Sequence, residues 1–247
     1  MVTELEKVAE IIKKSKNMIA LTGAGISVES GIPDFRSSGG LWDKYNPAIY
    51  ASIHTFNSNP EKIWEMIFEL MEMTQSAKPN AGHVALAELE KIGFLKAVIT
   101  QNIDNLHQEG GSNNVIEYHG NANTLECLKC GRKFSPETFD LAGKKIPKCP
   151  DCGQVLKPAV VFFGEMIPQN VLLESQKYAE EADVVLVVGT SAIVYPAAGI
   201  PAVAKRNGAK IIEFNLEETG LTHNGTDIFV QGPAGKTLPA LVELLKK

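Results

Sequence analysis

The chain's four cysteines fall in two pairs, Cys127-Leu-Lys-Cys130 and Cys149-Pro-Asp-Cys152, with 18 residues between them. Each CxxC knuckle can aim two thiolates at one tetrahedral ion, and two knuckles at this spacing make the ligand set of a zinc site. Gly131 and Gly153 follow the second cysteine of each pair, where a tight turn favours glycine. Four thiolates leave no open position on the metal, so the expected Zn2+ is structural, one per chain, and not catalytic. Two disulfides or a redox pair are the alternative, which a cytoplasmic location disfavours.

A second candidate is the string Thr22-Gly23-Ala24-Gly25-Ile26-Ser27. Its glycines permit a tight turn and close approach of backbone N–H groups to a pyrophosphate. The third glycine of a dinucleotide fingerprint is replaced by Val28, and no Gly-Lys-Ser/Thr follows, so a plain structural turn competes with a dinucleotide loop. The continuation Ser30-Gly31-Ile32-Pro33-Asp34-Phe35-Arg36 puts an aromatic ring and a guanidinium just beyond that loop. Phe35 could cover a nicotinamide ring and Arg36 could grip phosphate bidentately. A core Phe and a solvated Arg explain the same string, and these residues alone leave both readings open. No Ser–His–Asp or Cys–His nucleophile arrangement stands out.

Short β-branched runs alternate with helical patterns and must position these loops. Strands are expected at Met18 to Thr22, Lys96 to Thr100, Val184 to Val188 and Lys210 to Phe214. Helices are expected over Met1 to Asn17, with Leu5, Val8, Ile11 and Ile12 on one face, and over His83 to Ile92 and Ile200 to Asn207. This alternation predicts an α/β fold with a parallel sheet, whose ligands bind beyond the carboxyl ends of the strands. Two segments break the rhythm: a helix over Glu61 to Met73, with Ile63, Ile67, Leu70 and Met71 apolar, and the insert Cys127 to Cys152.

The chain has 247 residues, 44% of them hydrophobic and 21% charged, as in an ordinary soluble protein. Its net charge of −5 gives no basic surplus for the phosphate backbone of nucleic acid, so direct nucleic-acid binding is not expected. No apolar run reaches the length of a membrane helix; the stretch Ala192 to Ala204 is broken by Pro196, Gly199 and Pro201. The N-terminus lacks a signal peptide's apolar core, so a cytoplasmic location is expected.

Taken in order, the motifs resemble those of the sirtuin family of NAD-dependent protein-lysine deacylases, prokaryotic type. The resemblance spans nearly the whole chain. It is carried by Gly23-Ala24-Gly25-Ile26-Ser27 with Gly31-Ile32-Pro33-Asp34-Phe35-Arg36, then by Thr100-Gln101-Asn102-Ile103-Asp104 and His119-Gly120. The two CxxC pairs follow, then Phe162-Phe163-Gly164-Glu165, Gly189-Thr190-Ser191 and Asn215.

The resemblance implies a Rossmann-like NAD-binding domain over 1–35, 77–122 and 156–247. It implies a smaller domain made of a helical insert, 36–76, and a zinc-ribbon insert, 123–155. Gly23, Ala24, Gly25, Phe35 and Arg36 are implied NAD contacts at the phosphates and nicotinamide ribose, with Gln101 and Asn102 near that ribose. Ile103 and Asp104 would hold the nicotinamide carboxamide, with Ile32 lining the same pocket. Gly189, Thr190 and Ser191 would meet phosphate, Asn215 with Leu216 and Glu217 the adenosine ribose, and Ala234 the adenine. Val161, Phe162, Gly164 and Glu165 resemble the acyl-lysine tunnel and one edge of a peptide cleft; Ile193, Val194 and Tyr195 resemble the other. An acetylated peptide or protein would add between them as a strand.

His119 is implied as the general base, and Asn102 and Asp104 are implied with it as catalytic residues, Asp104 by holding the nicotinamide in a reactive pose. Imidazole titrates near neutrality and can take a proton at working pH. In the implied reaction the acyl oxygen attacks the ribose carbon as nicotinamide leaves, His119 deprotonates a ribose hydroxyl that attacks the amidate carbon, and water completes the transfer to give O-acetyl-ADP-ribose and free lysine. A structural histidine is the competing reading for a lone His. His54 and His223 read as surface residues, His83 falls in the first turn of a helix, and His107 lies just past the Asn-Ile-Asp motif. Relatives that prefer acidic acyl groups carry a Tyr and an Arg three residues apart; those positions fall on Ile67 and Leu70 here, which predicts acetyl over succinyl. Both residues also fit an apolar helix face. A mono-ADP-ribosyltransferase on the same scaffold and a non-enzymatic zinc-ribbon module are the competing functions.

Overall fold

The computed structural model describes residues 3–37, 39–74 and 76–247. Its strands are β1 (Met18–Thr22), β2 (Leu95–Thr100), β3 (Val115–Glu117), β4 (Gly120–Glu126), β5 (Lys133–Phe134), β6 (Lys157–Val160), β7 (Val184–Val188), β8 (Lys210–Asn215) and β9 (Ile228–Gln231). Six of them form one sheet in the order β3-β2-β1-β7-β8-β9, and every neighbouring pair is parallel. Strand order reverses between β1 and β7, the crevice where open α/β sheets bind ligands. The parallel α/β fold with a cysteine-bearing second module is therefore as the sequence predicts.

Period-two alternation divides β1 between two cores. Met18 and Ala20 face a cluster with Val8, Ile12, Leu86, Leu89, Leu238 and Leu241. Ile19 and Leu21 face Ile99, Val185, Val187, Ala204 and Ile211 on the opposite side. Both faces are covered by helices, which explains why β1 and β7 are buried at every residue.

The first helix is shorter than expected, Glu4–Ile12. Thr3 starts it with a capping box to Glu6. Beyond Lys13 the chain leaves the helix, because the Ser15 hydroxyl and the Lys16 and Asn17 N–H groups all donate to the Asp183 carboxylate. The part of the expected helix at Met1 and Val2 lies outside the described residues. The helix expected from His83 begins at Ala81 behind an Asn80 cap, and the one expected from Glu61 spans Pro60–Thr74.

The helical excursion and the cysteine insert share a core. Phe56, Ile63, Trp64, Ile67 and Phe68 meet Leu125, Cys127, Leu141, Cys149 and Leu156. Trp64 is fully buried and its indole N–H donates to the Leu156 carbonyl at 3.0 Å. In the insert, β4 lies between β5 and β6 in a small antiparallel sheet. The same β4 begins one residue after His119, so it connects the cysteine module directly to the cleft.

Candidate active site

The loops after β1 and β7 meet across the switch point. Gly23 N–H donates to Val188 O at 3.1 Å and Gly25 N–H to Gly189 O at 2.8 Å. A Cβ on Gly25 would stand 2.7 Å from Gly189 O, and one on Gly189, whose φ is +57°, would stand 2.4 Å from Ile26 N. The contact therefore tolerates no side chain at Gly25 or Gly189. The loop after β2 joins them: Gln101 N–H donates to Thr22 O at 3.0 Å, and its side-chain amide donates to Thr190 Oγ1 at 3.0 Å. Asn215, at the end of β8, donates to Thr190 O at 3.1 Å.

These strand ends open into a cleft of about 2340 Å³ that extends between the main sheet and the small module. Every residue that the sequence singled out for catalysis, cofactor or peptide lines it, from Gly23 to Ala234. The four cysteines do not. Phe35 is half-buried against Trp42, ring centroids 4.9 Å apart, and Arg36 is exposed. Ile193 and Tyr195 stand exposed, while Phe162 is buried. The segment after β6 is pinned at both sides: Val161 N–H donates to His119 O at 2.8 Å, and Phe163 exchanges backbone bonds with Ala51 and Ile53 at 2.7 and 3.1 Å.

His119 also lines the cleft, and its Nδ1 lies 3.1 Å from the Gln101 carbonyl oxygen. A carbonyl only accepts, so Nδ1 carries the hydrogen and Nε2 keeps its lone pair. Burial holds the imidazole pKa below its ordinary 6.5, with the Gln101 carbonyl pulling the other way. The ring is thus a neutral proton acceptor at physiological pH.

The Sir2 family model matches residues 23–196. The chain belongs to the Sir2 family, the sirtuins. It is 47% identical over 247 residues to the NAD-dependent protein deacylase of Pyrococcus furiosus, which covers 98% of each chain. A Sir2 homologue solved with NAD superposes with a TM-score of 0.91 at 45% identity, covering 98% of this chain and 93% of that one. A Sir2 protein solved with a deacetylated p53 peptide and 3'-O-acetyl-ADP-ribose superposes at 0.92, with 37% identity and 98% coverage of both chains.

Beneath the cleft this sirtuin has a buried polar network that the sequence reading only grazed. Ser27 is fully buried; its hydroxyl donates to Asp104 at 2.7 Å and accepts from the Asn102 amide at 3.1 Å. Asp104 also accepts the Leu106 N–H at 3.0 Å. His83 approaches the Ser27 hydroxyl at 3.4 Å and stacks edge-on against His107, whose Nε2 bonds Thr22 at 2.9 Å. Burial lowers the pKa of His83 to about 4 and that of His107 to about 3, so both are neutral. The Asn102 and Asp104 side chains are thereby fixed from below. Ser27 stood inside the glycine-rich string, but spacing gave no hint that it would meet residues some 75 positions away. His54 and His223 are exposed, as expected.

The four cysteine sulfurs lie within 4.8 Å of one another. Cys127 and Cys152 are 3.4 Å apart, and Cys130 and Cys149 3.7 Å. A tetrahedral zinc about 2.3 Å from each sulfur sets its ligands about 3.8 Å apart, so the cluster fits the ion. These separations are far beyond a disulfide bond of about 2.05 Å. Gly131 and Gly153 adopt φ of +71° and +73°, as the knuckle turns require.

Proposed function

We propose that this sirtuin deacetylates lysine side chains of proteins, transferring the acetyl group to ADP-ribose and releasing nicotinamide and O-acetyl-ADP-ribose. The observation that carries this reading is the His119–Gln101 hydrogen bond, which leaves Nε2 a free base in a cleft built from three strand-end loops. Bound NAD would supply a ribose carbon made electrophilic by departure of nicotinamide, which an amide otherwise lacks. The close-fitting glycines of the β1 and β7 loops support a phosphate site at Gly23, Ala24, Gly25, Gly189, Thr190 and Ser191. Asn215, Leu216, Glu217 and Ala234 would face the adenosine half. Phe35 would shield the reacting carbon, Arg36 would meet phosphate, and Gln101 would lie by the nicotinamide ribose. Ile32, Ile103 and Asp104 would hold the carboxamide, with Asn102 beside them. His119 would take the proton of a ribose hydroxyl on Nε2.

Acetylated peptides would lie extended between Val161 to Glu165 and Ile193 to Tyr195, with the acyl group passing Val161, Phe162 and Gly164. The zinc would hold the small module together without touching the reaction. We assign the enzyme to the reducing cytoplasm, because thiolate ligands persist there. Among the described residues no helix is long and apolar enough to cross a membrane. Mass spectrometry of products from NAD and an acetylated peptide tests the function. Nicotinamide, deacetylated peptide and acetyl-ADP-ribose are expected in equal amounts. Nicotinamide with ADP-ribosylated peptide, and neither deacetylated peptide nor acetyl-ADP-ribose, would show a mono-ADP-ribosyltransferase.

A further inference from the structure

Lys157 carries a charge that the reaction does not use. Its side chain is 1% exposed, although it sits between the cysteine cluster and the cleft. Burying an ammonium is unfavourable unless it is paired and its protons are all engaged. Here both conditions hold. Nζ lies 3.1 Å from Glu126 Oε1 and 3.1 Å from Glu165 Oε2. It donates to the carbonyls of Val160 at 2.7 Å and Pro158 at 3.1 Å, and stands 4.7 Å from the Phe162 ring centroid.

The partners belong to separate pieces of structure. Glu126 ends β4 and directly precedes Cys127. Val160 ends β6, which pairs with β4 so that Glu126 faces Lys157 and Gly120 faces Val160. Glu165 lies in the loop that lines the cleft. Its Oε2 accepts the Phe162 N–H at 2.8 Å, while its own N–H donates to Phe162 O at 3.0 Å. The stretch Phe162 to Glu165 is therefore a closed turn with its carboxylate clamped by the Lys157 ammonium. Gly164, at φ +90°, gives that turn its shape.

We propose that Lys157 is a positioning residue for the acyl-lysine edge of the cleft. Its ammonium holds the Phe162–Glu165 turn in the form an acylated side chain meets, and ties that turn to the strand entering the cysteine cluster. None of its contacts reaches the β1 and β7 loops or the polar network under Asp104. Its loss therefore weakens peptide recognition and spares the dinucleotide site.

The inference rests on the deacetylase reading, and steady-state kinetics with acetylated peptide and NAD separate the two. Wild-type protein that neither binds nor turns over the peptide removes that reading and this inference with it. With an active wild type, Lys157→Met is expected to raise the peptide KM by about 10- to 100-fold. Calorimetric affinity for ADP-ribose should stay within about two-fold. Lys157→Arg should recover most of the peptide KM, because the charge returns. A folded Lys157→Met protein with unchanged peptide KM overturns the proposal. So does a parallel loss of peptide and ADP-ribose affinity, which marks a general structural role. Where Lys157→Met does not fold, Glu165→Gln keeps the shape and removes one charge. It should show the same peptide-selective rise in smaller degree, and an unchanged peptide KM in that variant overturns the proposal as well.

Discussion

The imidazole of His119 is oriented by the backbone of Gln101, Nδ1 to carbonyl oxygen at 3.1 Å, and not by a carboxylate. A carboxylate partner would stabilise the imidazolium and raise the pKa. A neutral carbonyl fixes the tautomer with a weaker pull, and burial lowers the pKa instead. The ring is a base of moderate strength, held in one orientation. Replacing it by alanine should reduce deacetylation by roughly 100- to 10,000-fold, with ADP-ribose affinity retained. Stopped-time product analysis checks this, and a His119→Ala enzyme at full rate would remove the residue from the mechanism.

The acid limb of the pH profile should follow from the same ring. Only neutral His119 accepts a proton, and its folded pKa lies below 6.5. kcat/KM for the acetylated peptide is therefore expected to stay level as pH falls from 8 to about 6.5 and to decline only below that. A limb centred well above 6.5 would contradict the assignment.

Stability should fall in the same range for a different reason. His83 and His107 have folded pKa values of about 4 and about 3, depressed from 6.5 by burial. Between these values and 6.5 the unfolded chain binds protons that the folded one refuses, so stability is full above 6.5 and declines as pH falls towards the folded values. The lowered carboxylates Asp34, Asp183 and Asp227 start from 3.8 and act at lower pH. A decline in Tm between pH 6.5 and 5 thus reports His83 and His107, with a share from His119, which burial lowers from the same 6.5. A flat Tm over that interval would show that none of these rings is buried neutral.

The sheet was legible because buried parallel strands are continuous apolar runs, and β1 and β7 are of that kind. The helix Gln169–Glu181 has a core face of Val171, Leu172, Ser175, Tyr178 and Ala179 at helical spacing, but its two fully buried positions are a Ser and an Ala, which mutes the hydrophobic signal. The helix Ala234–Leu245 was hidden by Pro239 in its interior, and β3 and β9, at three and four residues, are too short to show a pattern. Site residues carried by motifs all reached the cleft. Residues that act through distant contacts did not announce themselves: Lys157 looks like an ordinary surface charge until β4 and β6 are brought together.

The zinc site should be readable through a tryptophan. Trp64 shares its core with Cys127 and Cys149. One zinc per chain is expected by elemental analysis. Its removal by a chelator should loosen that core and shift Trp64 emission to the red, measured in a Trp42→Phe background. Structural zinc contributes directly to folding, so Tm should fall with it. Unchanged emission and Tm after verified metal loss would show that the module stands without the ion.

The contact between the β1 and β7 loops predicts a sharp intolerance at Gly189. Its left-handed φ of +57° costs any other residue about 1–2 kcal/mol, and a Cβ there would overlap Ile26 N at 2.4 Å. Gly189→Ala should lower denaturant stability by at least that amount and weaken NAD binding, because the two loops must part. Wild-type stability in this variant would mean that the loops do not meet so closely.

Acyl choice should be decided by Ile67 and Leu70. Both line the cleft. Ile67 is 7% exposed and belongs to the core around Trp64, while Leu70 packs with Leu41, Tyr45 and Met66. They are therefore core residues that also form part of the cleft wall. A succinyl carboxylate beside them would lose water and find no cation on either side chain. Acetyl-lysine peptide should exceed its succinyl counterpart in kcat/KM by roughly 100-fold. Ile67→Tyr with Leu70→Arg should narrow that gap by supplying a hydroxyl and a guanidinium. Faster desuccinylation by the wild type would show that the acyl carboxylate is met by another part of the cleft.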